Sequence, residues 1–268
     1  LLVGGIIRQS LDWSIPVRYS RVIPPDEQEY AEQYFISDLY YADIYDSEGK
    51  FSSWDTNKND IFSEWNQTNK DEMDLYPDVY LSRLPCRSAS EVKTMVNKII
   101  KYEKEKADDE WFKKLILVAG DSYNDTNHFN EGELISEEAI KKMPGFTPVK
   151  VYASEQDINR KTVNSAMNQG AGFAYFCGHG NTASWSTHFP PNGTEWTSSY
   201  QLNDMIYLRN RYKLPVVVVG GCHNGQFDVS MGNILKGVKE EGLKYFRLKP
   251  KAGGFWYNQW VPNCWAWW

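Results

Sequence analysis

No stretch of this 268-residue chain approaches the roughly 18 consecutive apolar residues that a membrane-crossing helix needs, so no span is expected. Basic charge is not concentrated either. The chain carries 29 Lys and Arg against 35 Asp and Glu, a net charge of −6, and no basic stripe. That balance argues against nucleic acid or an anionic membrane as a partner. Cysteine is scarce: Cys86, Cys177, Cys222 and Cys264 are far apart and form no Cys-x-x-Cys pair. A disulfide framework is therefore not expected in so long a chain, and the question becomes which thiol is reactive. Internal repeats, low-complexity tracts and a signal peptide are also missing. The chain opens on Leu-Leu-Val-Gly-Gly-Ile-Ile, a strand already under way, and ends on Cys264-Trp265-Ala266-Trp267-Trp268 with no stop. Both ends read as cut, so the missing signal peptide carries no information about destination.

What is present is ample apolar material, 41% of residues, enough for one large α/β domain or two packed subdomains. Aromatics are abundant, with 11 Trp and 17 Tyr. Core packing accounts for such residues readily; a peptide- or carbohydrate-binding surface is the alternative use. Leu1–Ile7 and Asp78–Leu84 read as strands, and the polar, Asp/Asn/Gly/Ser-rich stretch Ser37–Trp65 as loop or short hairpins. Ser88 with Glu91 three residues on is a capping box, and Val92, Met95, Val96, Ile99 and Ile100 then repeat at helical spacing to about Lys106. The acidic run Asp108-Asp109-Glu110 marks a seam between subdomains 1–107 and 108–268. Beyond it, strands at Lys114–Ala119, Pro148–Tyr152, Phe173–Phe176 and Pro215–Val219 alternate with helices near Glu133–Met143, Asp157–Asn168 and Leu202–Asn210. Apolar strands alternating with helices imply a mainly parallel sheet covered on both faces, a three-layer α/β arrangement.

Ligands in such sheets sit beyond the carboxyl ends of the strands. Two of those ends carry chemistry. Phe173-Ala-Tyr-Phe-Cys opens into Gly178-His179-Gly180, and Val216-Val-Val-Val opens into Gly220-Gly221-Cys222-His223-Asn224-Gly225. Glycine permits close backbone approach, and main-chain N–H groups freed at a strand end can face a developing oxyanion. A thiol on one tip and an imidazole on its neighbour form a Cys–His pair in which the base raises the thiolate fraction. Taken singly, a Cys after a buried strand is more often an inert core residue, and Gly-His-Gly is a weak pattern. Neighbouring side chains on an extended chain diverge, so His179 and not the adjacent His223 is the expected partner of Cys222. A zinc hydrolase built on Cys177, His179, Cys222 and His223 is a competing reading. Asp55-Thr-Asn57-Lys-Asn59-Asp60 places oxygen ligands at alternate positions, as Ca²⁺ loops do, with Asp43 and Asp46 nearby. It departs from an EF-hand in lacking Gly at the sixth position and Glu at the twelfth. A solvated turn is the simpler account of the same residues.

The two strand tips, in this order, resemble the protease clan of caspases, legumain and gingipains. Gly178-His179-Gly180 followed by Trp185, Cys222-His-Asn-Gly225-Gln-Phe227-Asp228, and Pro77-Asp-Val-Tyr-Leu-Ser-Arg83-Leu-Pro-Cys86 are similar to the gingipains, peptidase family C25. The resemblance implies a caspase-like α/β fold with two subdomains, cysteine endopeptidase activity on protein or peptide substrates, secretion or surface location, bound calcium and no organic cofactor. It implies an oxyanion hole from the N–H groups of Gly180 and Cys222, and an acid near the catalytic His, for which Asp121 stands in the matching place, though shorter than the Glu associated with that position. In Arg-preferring members an acid lines the S1 pocket; Glu133 is the nearest match here, with Trp185 as a wall, and basic P1 residues are the implied preference. A gingipain-like binding or secretion module without hydrolysis is the alternative from another class.

Overall fold

Every second residue of Lys114–Ala119 faces the same side of a strand, and all of Leu115 to Ala119 are apolar, so both faces must be covered. The computed structural model bears this out. It describes residues 1–7, 12–22, 35–66, 68–105, 110–229 and 239. Two compact units form, Leu1–Ala89 and Ser90–Trp268. They divide at the start of a helix, ahead of the 107/108 seam expected from the acidic run, most of which lies outside the described residues.

In the first unit, β1 (Leu2–Val3), β2 (Arg18–Val22), β3 (Phe35–Ser37), β4 (Glu64–Trp65) and β5 (Arg83–Leu84) are short. β1 pairs with β5 in parallel, and β2 lies between an antiparallel β3 and a parallel β4. The strands expected over Leu1–Ile7 and Asp78–Leu84 shrink to two residues each. The physical reason is Arg83. Its side chain, only 4% exposed, takes over work that a ladder would do. The guanidinium grips both oxygens of Asp38 at 2.6 and 2.8 Å and donates to the carbonyls of Gly4, Ile15 and Pro16. A buried, bidentate, fully used guanidinium of this kind organises irregular backbone that would otherwise be unsatisfied.

The second unit runs α1 (Ala89–Glu105), β6 (Lys114–Ala119), α2 (Glu131–Lys142), β7 (Thr147–Tyr152), α3 (Arg160–Asn168), β8 (Phe173–Cys177), β9 (His179–Gly180), β10 (Ser184–Ser186), β11 (Tyr200–Gln201), α4 (Leu202–Met205) and β12 (Val216–Gly220). α1 belongs with this unit through contacts its sequence foretold. Met95, Ile99 and Tyr102 line an apolar groove with Met167, Leu208 and Val217, and Tyr102 Oη donates to Gly172 O at 2.9 Å. α3 starts on a reciprocal capping box between Asn159 and Thr162. α4 is a single turn, shorter than the Leu202–Asn210 helix expected, because Asn168 Oδ1 accepts the Arg209 N–H and draws the chain out of the helical ladder.

The four main strands form a parallel sheet in the order β12-β8-β6-β7. One face packs Ile116, Val118, Ala174 and Phe176 with Val163, Ala166 and Met167 of α3; the other packs Leu115, Leu117, Ala119 and Cys177 with Ile140 and Met143 at the end of α2. The result is the expected α/β arrangement of helices on both sides of a mainly parallel sheet. The chain steps from β6 outward to β7 and then back across β6 to β8. The crevice beyond the carboxyl ends of β6 and β8 is thus a topological switch point, where α/β sheets place their ligands. Among the described residues no helix is long and apolar enough to cross a membrane.

Candidate active site

The tips of β8 and β12 lie side by side. Val219 pairs with Phe176 and Gly220 with Cys177, and the Gly178 N–H donates to Gly220 O at 2.9 Å. Past the ladder the two segments stay in contact, since a methyl carbon built on Gly180 would lie 2.7 Å from Cys222 O. Cys222 is exposed, whereas Cys86 and Cys177 are buried. The thiol at the β12 tip is therefore reachable, and those two others are core atoms.

His179 leaves β8 and enters a small antiparallel sheet, β11-β10-β9. Its Nε2 lies 2.6 Å from Ser122 O, just past the tip of β6. A carbonyl only accepts, so Nε2 carries the proton and Nδ1 is the basic nitrogen of the neutral ring. Two further rings close on the imidazole. His188 stands 5.4 Å away edge-on and Trp196 5.3 Å away, and His188 and Trp196 touch each other with centroids 3.7 Å apart. The loop carrying both is tied to the β6 tip by the paired main-chain bonds of Asp121 with His188, and to itself by Thr197 N–H on Thr187 O. Burial, and then the neighbouring His179, hold the His188 imidazole below its ordinary pKa, against hydrogen bonds to the carbonyls of Asp121 and Ser122. His188 is thus disfavoured as a cation beside the His179 ring.

Asp121 is buried at the β6 tip. Its Oδ1 accepts the Tyr123 N–H at 3.2 Å, and its main-chain carbonyl accepts the Thr187 hydroxyl at 2.7 Å. Burial raises its carboxyl above the ordinary range, and a hydrogen bond with Glu131 adds to this. Despite its own burial, Glu131 is held low by its backbone N–H, by Asn127 and by the Ser122 N–H. Of the two neighbouring acids, Asp121 is thus the one pushed up and Glu131 the one held down. What touches the His179 ring is the carbonyl of Ser122, one residue on.

Glu133, in the first turn of α2, is 8% exposed. Its oxygens accept from Ser154 N, Ser154 Oγ and Asn130 Nδ2 at 2.8 to 3.2 Å. Both are hydrogen-bonded inside the protein, which matches the helix-terminus use of a carboxylate. Trp185 is 0% exposed. It packs edge-on to Phe176 and donates Nε1–H to Gly220 O at 3.3 Å, so it buttresses the strand tips from beneath. The zinc reading does not assemble: among the described residues no group of three or more His, Cys, Asp or Glu stands ready for a metal. Cys177 faces the α2 side of the sheet, away from such a cluster.

At the Asp55 loop, side-chain oxygens fold inward. Asp55 accepts from Asn59 N and Asp60 N, Asn57 from Asn59 N, and Asn59 from Ile61 N, all at 2.9 to 3.1 Å. Asp60, sixth from Asp55, sits at φ 65. That is the left-handed turn for which Ca²⁺ loops use glycine, so the missing Gly has not cost the loop its shape.

Four residues of the site carried no role in the sequence. Ser122 acts through a main-chain carbonyl, which has no side-chain signature. His188 and Trp196 reach the site through a loop whose path is tertiary. Asn224 belongs to the Cys222-His-Asn-Gly motif, and only its neighbours in space show what it holds.

The profile of Peptidase family C25 matches residues 1–245. Gingipain R2 of Porphyromonas gingivalis is 24% identical over 162 residues, covering 59% of this chain and 20% of that protein. Lys-gingipain of the same organism is 26% identical over 196 residues, covering 68% of this chain and 10% of that one. The chain thus spans about a fifth or less of the length of these curated relatives. The crystal structure of the Arg-specific cysteine proteinase gingipain R is 21% identical, covering 63% of this chain and 39% of that one with a TM-score of 0.44. The match of the profile to nearly the whole chain, through both strand tips, shows that the protein belongs to peptidase family C25.

Proposed function

We propose that the chain is the catalytic part of a cysteine endopeptidase working through Cys222 and His179. The observation that carries this is an exposed thiol just past the β12 tip, where the neighbouring strand tip carries a histidine whose Nε2–H is held by a main-chain carbonyl. With that proton fixed, Nδ1 takes the thiol proton, and the thiolate attacks the scissile carbonyl carbon. The carbonyl oxygen becomes an oxyanion, and the N–H groups of Gly180 and Cys222 stabilise it. His179 passes its proton to the leaving amine, and water, deprotonated by the same ring, hydrolyses the thioester to free Cys222. Trp196, 55% exposed, offers its ring to the imidazolium formed on the way, an attraction of the cation–π type.

Substrates with Arg or Lys at P1 are proposed from the likeness to Arg- and Lys-gingipains. Glu133, the acid matched to that role, has its oxygens on Ser154 and Asn130, and Glu133→Gln tests whether it also faces P1. Secretion or surface location is proposed on the same likeness. Calcium is proposed at Asp55, Asn57 and Asn59 as a purely structural ion that would lock the loop. A melting temperature equal in Ca²⁺ and in a calcium chelator would dismiss it.

The test of the reading is turnover of a peptide library. Cys222→Ala is expected to abolish cleavage, and His179→Ala to lower it by about a hundredfold or more, the lower end for losing acid–base catalysis. A thiol alkylator should inactivate the protein and a zinc chelator should not. A folded, non-cleaving His223→Ala variant beside a cleaving His179→Ala variant would sink this assignment. If the folded wild type cleaves no peptide, the non-catalytic binding module takes its place.

A further inference from the structure

Asn224 sits two residues past Cys222 and is 4% exposed. Its Nδ2 donates to Asn181 O at 2.8 Å and Ser184 O at 3.1 Å. Two carbonyl acceptors fix the amide orientation, because only the NH₂ end can face them. The Oδ1 end therefore points the other way, and there it is buried with no hydrogen-bond partner. It rests on bare backbone: a methyl carbon built on Gly180 would lie 1.8 Å from this oxygen, and one built on Gly221 2.4 Å from it. The side chain is a wedge between the segment after His179 and the segment before Cys222, tied to the turn that follows Gly180.

A buried polar oxygen without a donor is costly, and an apolar residue would remove that cost only by giving up the two donations from Nδ2 to Asn181 O and Ser184 O. The amide is held by its NH₂ end, and its oxygen end is pressed against the two glycines. The two glycines it presses on explain each other: both strand tips lack a Cβ where the amide must fit. The segments it separates carry the N–H groups of Gly180 and Cys222. We infer that Asn224 is a positioning residue that sets the spacing of the two oxyanion donors. This rests on the cysteine peptidase reading above. Asn224 touches neither thiol nor imidazole in this account; it acts through the main chain on which the donors are carried.

The experiment separates oxyanion support from thiolate formation in the full 268-residue chain. Asn224→Ala and Asn224→Ser are compared with wild type in peptide turnover and in the rate of Cys222 alkylation by iodoacetamide, which forms no oxyanion. Binding of a peptide aldehyde, whose hemithioacetal does carry one, is the third readout. Thermal melting selects the folded variant. The expected result is a kcat lower by about 10²–10³-fold, the loss typical of one oxyanion donor. Aldehyde affinity should fall with it, KM should change little, and alkylation should stay within about twofold of wild type. Turnover within about threefold of wild type overturns the inference. So does alkylation falling in step with kcat, since Asn224 would then support the Cys–His pair or the fold at large. Two unfolded variants overturn it as well, by assigning Asn224 to stability. If wild-type Cys222 alkylates but the protein turns over no peptide, the peptidase reading itself fails, and the inference falls with it.

Discussion

His179 rests its Nε2–H on the carbonyl of Ser122 and not on a carboxylate, which decides what substitutions at Asp121 should do. A carboxylate bonded directly to a catalytic imidazole is worth roughly 10⁴-fold in kcat when made an amide. Burial raises the Asp121 carboxyl, and its Oδ1 accepts the Tyr123 N–H, so Asp121→Asn keeps the shape of the side chain and leaves the Ser122 carbonyl on the ring. Its kcat is expected to stay within about tenfold of wild type, measured at saturating peptide; a 10⁴-fold drop would restore Asp121 to a direct role. The same reasoning applies to Glu133. With its oxygens on Ser154 and Asn130, Glu133→Gln should lower cleavage after Arg, Lys and neutral residues equally. A loss confined to basic P1 residues would show that it faces the substrate after all. His223 sits at φ 57 with Nδ1 on Gln226 Oε1 at 3.1 Å. It braces its own turn, so His223→Ala should keep most of the activity.

At the scale of elements, the site depends on how closely α2 approaches the strand tips. Gly132 lies in the first turn of α2, and a methyl carbon there would stand 2.7 Å from Cys177 O and 2.8 Å from Gly120 O. Both contacts are to backbone, which cannot swing aside. Gly132→Ala gains about 1 kcal/mol of helix propensity. Overpacking at such a site costs about 1–3 kcal/mol, so the net change should be destabilising, read as a lower denaturant midpoint. A stabilised variant would mean that α2 can shift freely against the sheet. The helical periodicity of Val92–Ile100 was legible in the sequence, and so were the four main strands, since long runs of one period have few competing solutions. The short strands of the first unit were not. Their backbone is satisfied by Arg83, Asp38 and carbonyls distant along the chain, a pattern without periodicity.

For the whole molecule, His188 couples stability to pH. Its folded-state pKa is lowered, by burial first and then by His179. The unfolded chain therefore takes the proton more readily. The stability at stake is intact above the unfolded pKa of about 6.5 and is lost as pH falls through that value toward the lowered one. The groups facing the ring are His179, the Trp196 indole and the carbonyls of Asp121 and Ser122. Melting temperature should therefore decline between about pH 7 and pH 5, and less steeply in His188→Gln. Equal slopes would mean that His188 does not titrate on unfolding in this range. Because His188 packs on Trp196 and Trp196 on His179, the same acid shift should reduce activity before the fold is lost.

The sequence by itself determined the parallel sheet and the two glycine-flanked tips that carry His179 and Cys222. These follow from local period, from the absence of Cβ atoms and from the rule that α/β sheets carry ligands at strand ends. It did not determine which atoms surround the imidazole. The Ser122 carbonyl, the His188 and Trp196 rings and the Asn224 wedge come together only when a loop crosses the tip of β6 and a turn after β12 folds beneath Gly180. Main-chain acceptors, ring contacts and close packing are relations between distant segments. No residue type announces them, and only tertiary structure decides them.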